Sequence, residues 1–170
     1  MSKLLDFYSG IDTDHAGRKI EDIWNFTDEQ LEHGHDYIQW LFPLEQSSMF
    51  LKVAPIATNE DFKAFFERPE LVTAVRRSIA LMRDFYGLDS RVGVMYDCFV
   101  PPVWFTPNNH NFKRLTRMFT FMSKVGHYRH AKMMHEGLIN LTRHMPDVVS
   151  PRTLDFWEAA LKTPEVDINE

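Results

Sequence analysis

At 170 residues, with 44% apolar, 14% aromatic and 25% charged side chains, the chain has the length of one domain and the composition of a globular protein, which excludes a disordered tail. A chain this long buries about 70% of the surface it exposes when unfolded, so it needs no metal or disulfide staple. Its one cysteine, Cys98, excludes an intrachain disulfide and points to a reducing compartment.

The net charge of −5 hides a segregation. Residues 1–70 hold 6 basic and 14 acidic side chains, residues 108–146 hold 7 and 1, and residues 147–170 hold 2 and 6. Either the acidic and basic parts neutralise one another, or the basic stretch is an anion-binding face.

In chain order, Asp6 interrupts the apolar core that a signal peptide would need, so no secretion signal is expected. Thr27 with Gln30 reads as a capping box. It opens a first helix that carries Leu31, Ile38 and Leu41 and stops at Pro43. Thr58 with Glu60 and Asp61 starts a short helix bearing Phe62, Phe65 and Phe66, which ends before Pro69. Pro69 begins a third, with Val72, Val75, Ile79, Met82 and Tyr86 at steps of 3 and 4 and Gly87 as the C-terminal cap.

Residues 88–108 read as one long ordered loop, because Pro101, Pro102 and Pro107 break it. Val92–Met95 and Phe99–Val100 are the only candidate strands there. The longest uncharged stretch, Cys98 to Phe112, is too short and too broken to cross a bilayer as a helix. Asn108 or Asn109 caps the next helix, whose Phe112, Leu115, Phe119 and Met122 face a core before Gly126. A fifth helix carries Ala131, Met134, Leu138 and Leu141 up to Pro146. Ser150-Pro151 caps the last, which runs through Leu154, Trp157 and Leu161. The fold expected is all-α: one domain over residues 1–170, an irregular bundle of about six helices.

Catalytic signatures are missing. Seven scattered glycines make no phosphate-cradling loop, and there is no Gly-x-Ser-x-Gly elbow. Cys98 reads as a structural thiol. His127 and His130 stand one turn apart with His135 following, but no third ligand is implied, and Lys124, Arg129 and Lys132 crowd them with positive charge. No metal and no cofactor are expected.

As one continuous helix, the first would bury His33, Tyr37 and Trp40 beside its apolar stripe. Glu29, Glu32, Asp36 and Gln39 would lie on the opposite side. Glu32 and Asp36 would be like charges at i, i+4, tolerated in solvent and favoured beside cations. The helix after Asn111 supplies such cations in Lys113, Arg117 and Lys124, with Arg114 alongside. Arg114 and Arg117, at i, i+3, suit bidentate grip of a carboxylate or phosphate, and equally suit an internal pair with those acids.

The stretch His35-Asp-Tyr-Ile-Gln-Trp-Leu-Phe-Pro-Leu44 resembles the opening signature of the opioid growth factor receptor conserved region. Phe85-Tyr86-Gly87 is similar to a helix end of that family. Trp104, then Asn109-His110-Asn111 and Arg114-x-Thr116-Arg117, is similar to its second signature. These matches lie in the expected order over roughly residues 20–140, as one domain should. The resemblance implies reception of an opioid peptide, as described for the animal members, and implies no catalytic residue. Its polar positions fall on His35, Gln39, His110, Asn111, Arg114 and Arg117.

The sequence therefore points to a cytoplasmic ligand-binding or regulatory domain for a small anionic or zwitterionic ligand, such as a peptide terminus. Arg114 and Arg117 would hold the acid group, His110 and Asn111 would donate from a helix N-terminus, and Trp40 would form an apolar wall, with His35 and Gln39 added to the site by the resemblance. One alternative is an enzyme using His35 or His110 as acid or base on such a ligand. Another is nucleic-acid binding through residues 113–132, which the acidic balance disfavours.

Overall fold

Helix-start signals are made by side chains that satisfy the first orphan amides of a helix. In the computed structural model, which describes residues 2–49, 51–88 and 101–168, the described residues form nine helices and no strand. Ser2 caps α1 (Lys3–Tyr8) by accepting from the Leu5 amide at 3.3 Å. Asp22 reaches back to the Lys19 amide at 2.7 Å to fix the start of α2 (Ile20–Trp24). Thr27 and Gln30 form the expected reciprocal box at α3 (Asp28–His33). Helix α4 is a single turn, Ile38–Leu41. Thr58 and Asp61 form a second box at α5 (Asn59–Glu67).

Helix α6 (Pro69–Phe85) ends as its pattern predicts. Gly87 has φ +70°, its amide donates to Asp84 and the Leu88 amide donates to Arg83, the paired bonds of a left-handed helix cap. Three more helices follow: α7 (Asn111–Lys124), α8 (Tyr128–His144) and α9 (Pro151–Leu161), with Ser150 capping the last through the Thr153 amide. No helix among the described residues is long and apolar enough to cross a membrane.

The sequence reading needs three corrections. The helix expected from Thr27 to Pro43 is two helices, broken at residues 34–37. Gly34 turns extended, and a Cβ on it would sit 2.8 Å from the Gln30 carbonyl oxygen and 3.1 Å from the Tyr37 ring. Buried Tyr37 folds back and donates its hydroxyl to the Leu31 carbonyl at 2.8 Å, so the chain doubles over the end of α3. Second, the break rotates the side chains. His33 is exposed rather than buried, Gln39 is buried rather than solvent-facing, and Asp36 lies outside any helix. Third, α1 and α2 were not anticipated, being too short for periodicity to show. The two expected strands, Cys98 and most of the expected loop lie outside the described residues. Residues 101–110 are irregular turns.

Contacts divide the chain into two compact units, Met1–Leu81 with Val166–Glu170, and Met82–Glu165. In the first, α1 packs on α5, with Tyr8 and Phe65 rings 4.6 Å apart and Phe7 5.0 Å from Trp40. The Tyr8 hydroxyl donates to the Leu41 carbonyl, tying α1 to α4. In the second, α7, α8 and α9 pack on one another around Leu115, Phe119, Met122, Leu138 and Trp157, all fully buried. The Trp157 indole donates to the Phe112 carbonyl at 3.1 Å, and the Trp104 indole to the Tyr86 carbonyl at 3.3 Å.

Candidate functional site

The second unit gathers the signature residues of α7 on one hydrogen-bonded frame. Asn108 takes φ +58°, a conformation open to asparagine, and Asn109 then turns its side chain to accept from the Asn111 amide at 2.9 Å. That leaves His110 at the cap position, with Asn109 supplying the capping oxygen from one residue earlier. Asn111 is fully buried. Its Oδ1 accepts from Arg114 Nη1 at 3.1 Å and more weakly from the Tyr86 hydroxyl at 3.4 Å. Arg114 is 6% exposed, so its guanidinium is held in place rather than sweeping through solvent. Arg117 follows one turn on, half-buried, and burial lowers its pKa to about 10.

The other three expected site residues lie in the first unit. His35 is exposed in the break between α3 and α4, and its carbonyl accepts from Gln39 Nε2 at 3.3 Å. Gln39 is 5% exposed, and its Oε1 has no hydrogen-bond partner among the described residues. Trp40 is 1% exposed, a core residue whose indole donates to His15 Nδ1 at 3.1 Å.

That last bond leads to a cluster that sequence reading missed. His15 Nε2 stands 3.4 Å from Asp36 Oδ2, and Arg18 Nη1 donates to Asp36 Oδ1 at 3.1 Å. Arg18 Nε donates to Asp14 Oδ2 at 2.6 Å, and Nη2 reaches the same oxygen as an ion contact rather than an aligned hydrogen bond. Burial works against the Arg18 charge, but bonding and attraction from Asp36 and Asp14 outweigh it and hold the pKa above its ordinary value. Asp36, expected on an acidic helix face, is therefore the partner of Arg18 and His15. With His15 Nδ1 accepting from the Trp40 indole, the Nε2–H tautomer fits, its N–H toward Asp36. The signal that was overlooked is the i, i+4 pair Asp14 and Arg18 around Gly17.

The remaining histidines do not assemble. His127 and His130 rings lie 5.6 Å apart, while His135 packs edge-on against Phe119 and Trp157. Among the described residues no group of three or more His, Cys, Asp or Glu side chains is placed to hold a metal.

Residues 2–166 match the family model described as the opioid growth factor receptor (OGFr) conserved region. The chain belongs to that family. It is 29% identical to the opioid growth factor receptor of Mus musculus over 157 residues, covering 86% of this chain and 25% of that protein. It is also 29% identical to opioid growth factor receptor-like protein 1 of Xenopus tropicalis over 119 residues, covering 65% of this chain and 23% of the relative. With the Homo sapiens receptor the identity is 33% over 119 residues, or 63% of this chain and 17% of the receptor. The chain thus spans about a quarter or less of these relatives. No solved structure matches it.

Proposed function

We propose that this chain is a ligand-recognition module of the receptor family, and that the Arg114–Arg117 face of α7 takes the acid group of a small anionic or peptide-like ligand. The observation carrying the proposal is the buried Tyr86–Asn111–Arg114 frame with half-buried Arg117 one turn beyond it. Preorganised guanidinium groups bind carboxylate or phosphate at lower entropic cost than mobile ones. Asn111, fully buried, braces the face through its bond to Arg114, and half-buried His110 stands beside it at the start of the same helix. Relatives named opioid growth factor receptor make a peptide the first ligand to try. We also propose one domain working in the cytoplasm. The family match through both units supports the first point, and the single cysteine supports the second.

Trp40 and Gln39 are not assigned to this face, because both are buried in the first unit. His35, exposed in the first unit, is likewise not assigned to it. The test is an NMR titration of the arginine Nε–H signals with a short peptide carrying a free C-terminal carboxylate, and with its C-terminal amide. The proposal expects Arg114 and Arg117 signals to move with the acid and not with the amide. Equal response to both peptides, or to neither, rejects a carboxylate site.

A further inference from the structure

Residues 13–18 cross the first unit without contributing to its core. No apolar side chain of this stretch is buried: His15, Ala16 and Gly17 are exposed, and Asp14 is its one buried residue. Its backbone bonds close on the stretch itself. The Ala16 and Arg18 amides donate to Asp14 Oδ1 at 2.8 and 2.9 Å, the Asp14 amide to the Arg18 carbonyl at 2.8 Å, and the Gly17 amide to the Asp14 carbonyl at 3.2 Å. It is thus a preformed loop fastened to the unit from outside.

The fastenings are few. His15 accepts from the buried Trp40 indole, lies near-parallel to its ring with centroids 6.2 Å apart and touches Asp36; Arg18 donates to Asp36, and its guanidinium lies 5.8 Å above the Phe26 ring. Two of the three polar ties end on one carboxylate, that of Asp36, whose side chain is 37% exposed. Lys3 Nζ also lies near the indole, 5.7 Å from its ring. A segment with no buried apolar anchor and only part-solvated charge pairs belongs to the least stable class of local structure.

We infer that residues 13–18 form a strap that opens as a unit over Trp40, with Asp36 as its latch. The strap is a gate: closed, it gives the indole N–H its acceptor and keeps water from it. Open, it uncovers one of the signature aromatic residues without unfolding any helix. The break at Gly34 is what makes the latch, since it takes Asp36 out of a helix and sets it where Arg18 and His15 meet. This inference does not rest on the basic face of α7.

The four tryptophans supply the test, because each indole N–H has a different acceptor. Trp24 donates to Ser78, Trp104 to the Tyr86 carbonyl and Trp157 to the Phe112 carbonyl, and only Trp40 relies on the strap. Solvent exchange of the four indole protons is measured by NMR, with Trp40 assigned through Trp40→Phe. In the parent chain the Trp40 proton should exchange faster than those of Trp104 and Trp157. Asp36→Asn should speed Trp40 alone by about fivefold to tenfold, the effect of removing two surface pairs of ordinary strength. Should that variant not fold, Arg18→Gln cuts the same latch from the other side. Trp40 exchanging no faster than Trp104 and Trp157 in the parent, or a variant that moves all four protons together or none, overturns the strap.

Discussion

Acidifying the protein should destabilise it through His135 in particular. The ring sits edge-on between Phe119, with centroids 6.1 Å apart, and Trp157, at 6.5 Å, and its buried Nε2 has no hydrogen-bond partner among the described residues. Burial lowers its pKa, and the pull of Glu158 and Glu136 in the other direction does not win. The sign follows from linkage. Above the ordinary histidine value, about 6.5, the ring is neutral folded and unfolded, so it adds no pH dependence. As the pH falls below that value the unfolded chain takes up a proton that the folded chain resists. Stability is therefore lost until the lowered folded pKa is reached, and the loss is constant below it. One proton of difference gives at most about 1.4 kcal/mol per pH unit, and because the ring is only half-buried, solvent screening trims the slope below that ceiling. Urea unfolding of the parent and of His135→Phe at pH 7.5, 6.5, 5.5 and 5.0 isolates it, since the other histidines contribute alike to both. The parent should lose stability over this range relative to the variant. Parallel curves, or a parent gaining stability relative to the variant in acid, would refute the reasoning.

Trp157→Ala should cost roughly 3–5 kcal/mol by urea unfolding, because the fully buried indole fills the junction of α7, α8 and α9 and bonds the Phe112 carbonyl. Ile79→Ala, on the buried stripe of α6, should cost about 2–5 kcal/mol by the same assay. Gly34→Ala should lower stability by roughly 1–3 kcal/mol, since its Cβ meets a backbone oxygen at 2.8 Å and a buried ring. A neutral or stabilising result there would mean the α3–α4 break is not held by close approach.

The elements most legible in the sequence were those written in local chemistry. The Thr27 and Thr58 boxes, Pro69 opening α6, the Gly87 stop and the Ser150-Pro151 start all act through neighbours within four residues, and all are present in the structure. What misled was a tertiary effect. Leu31, Ile38 and Leu41 keep helical spacing, but Tyr37 folding back over Gly34 breaks the helix between them, and no local signal outweighs their periodicity. That error moved Asp36 from an imagined acidic stripe to its place beside Arg18 and His15. On α7 the register was legible from Phe112, Leu115 and Phe119, while the bond from Arg114 back to Asn111 was not foreseen. The Asp14–Arg18 loop stayed hidden, since its partners lie some twenty residues away in the chain.

The central claim is that Arg117 serves a ligand rather than the scaffold, and thermal melts of Arg117→Ala test it most directly. Parent and variant are melted alone and with acetate, phosphate and short peptides. If the face binds an anion, the variant alone should melt close to the parent or slightly above it. The ligand-induced rise seen in the parent, about 2.7 kcal/mol at a hundredfold excess over Kd, should then vanish. If Arg117 instead holds the fold together, the variant alone should lose roughly 3–5 kcal/mol and no ligand should stabilise the parent, which would contradict the account.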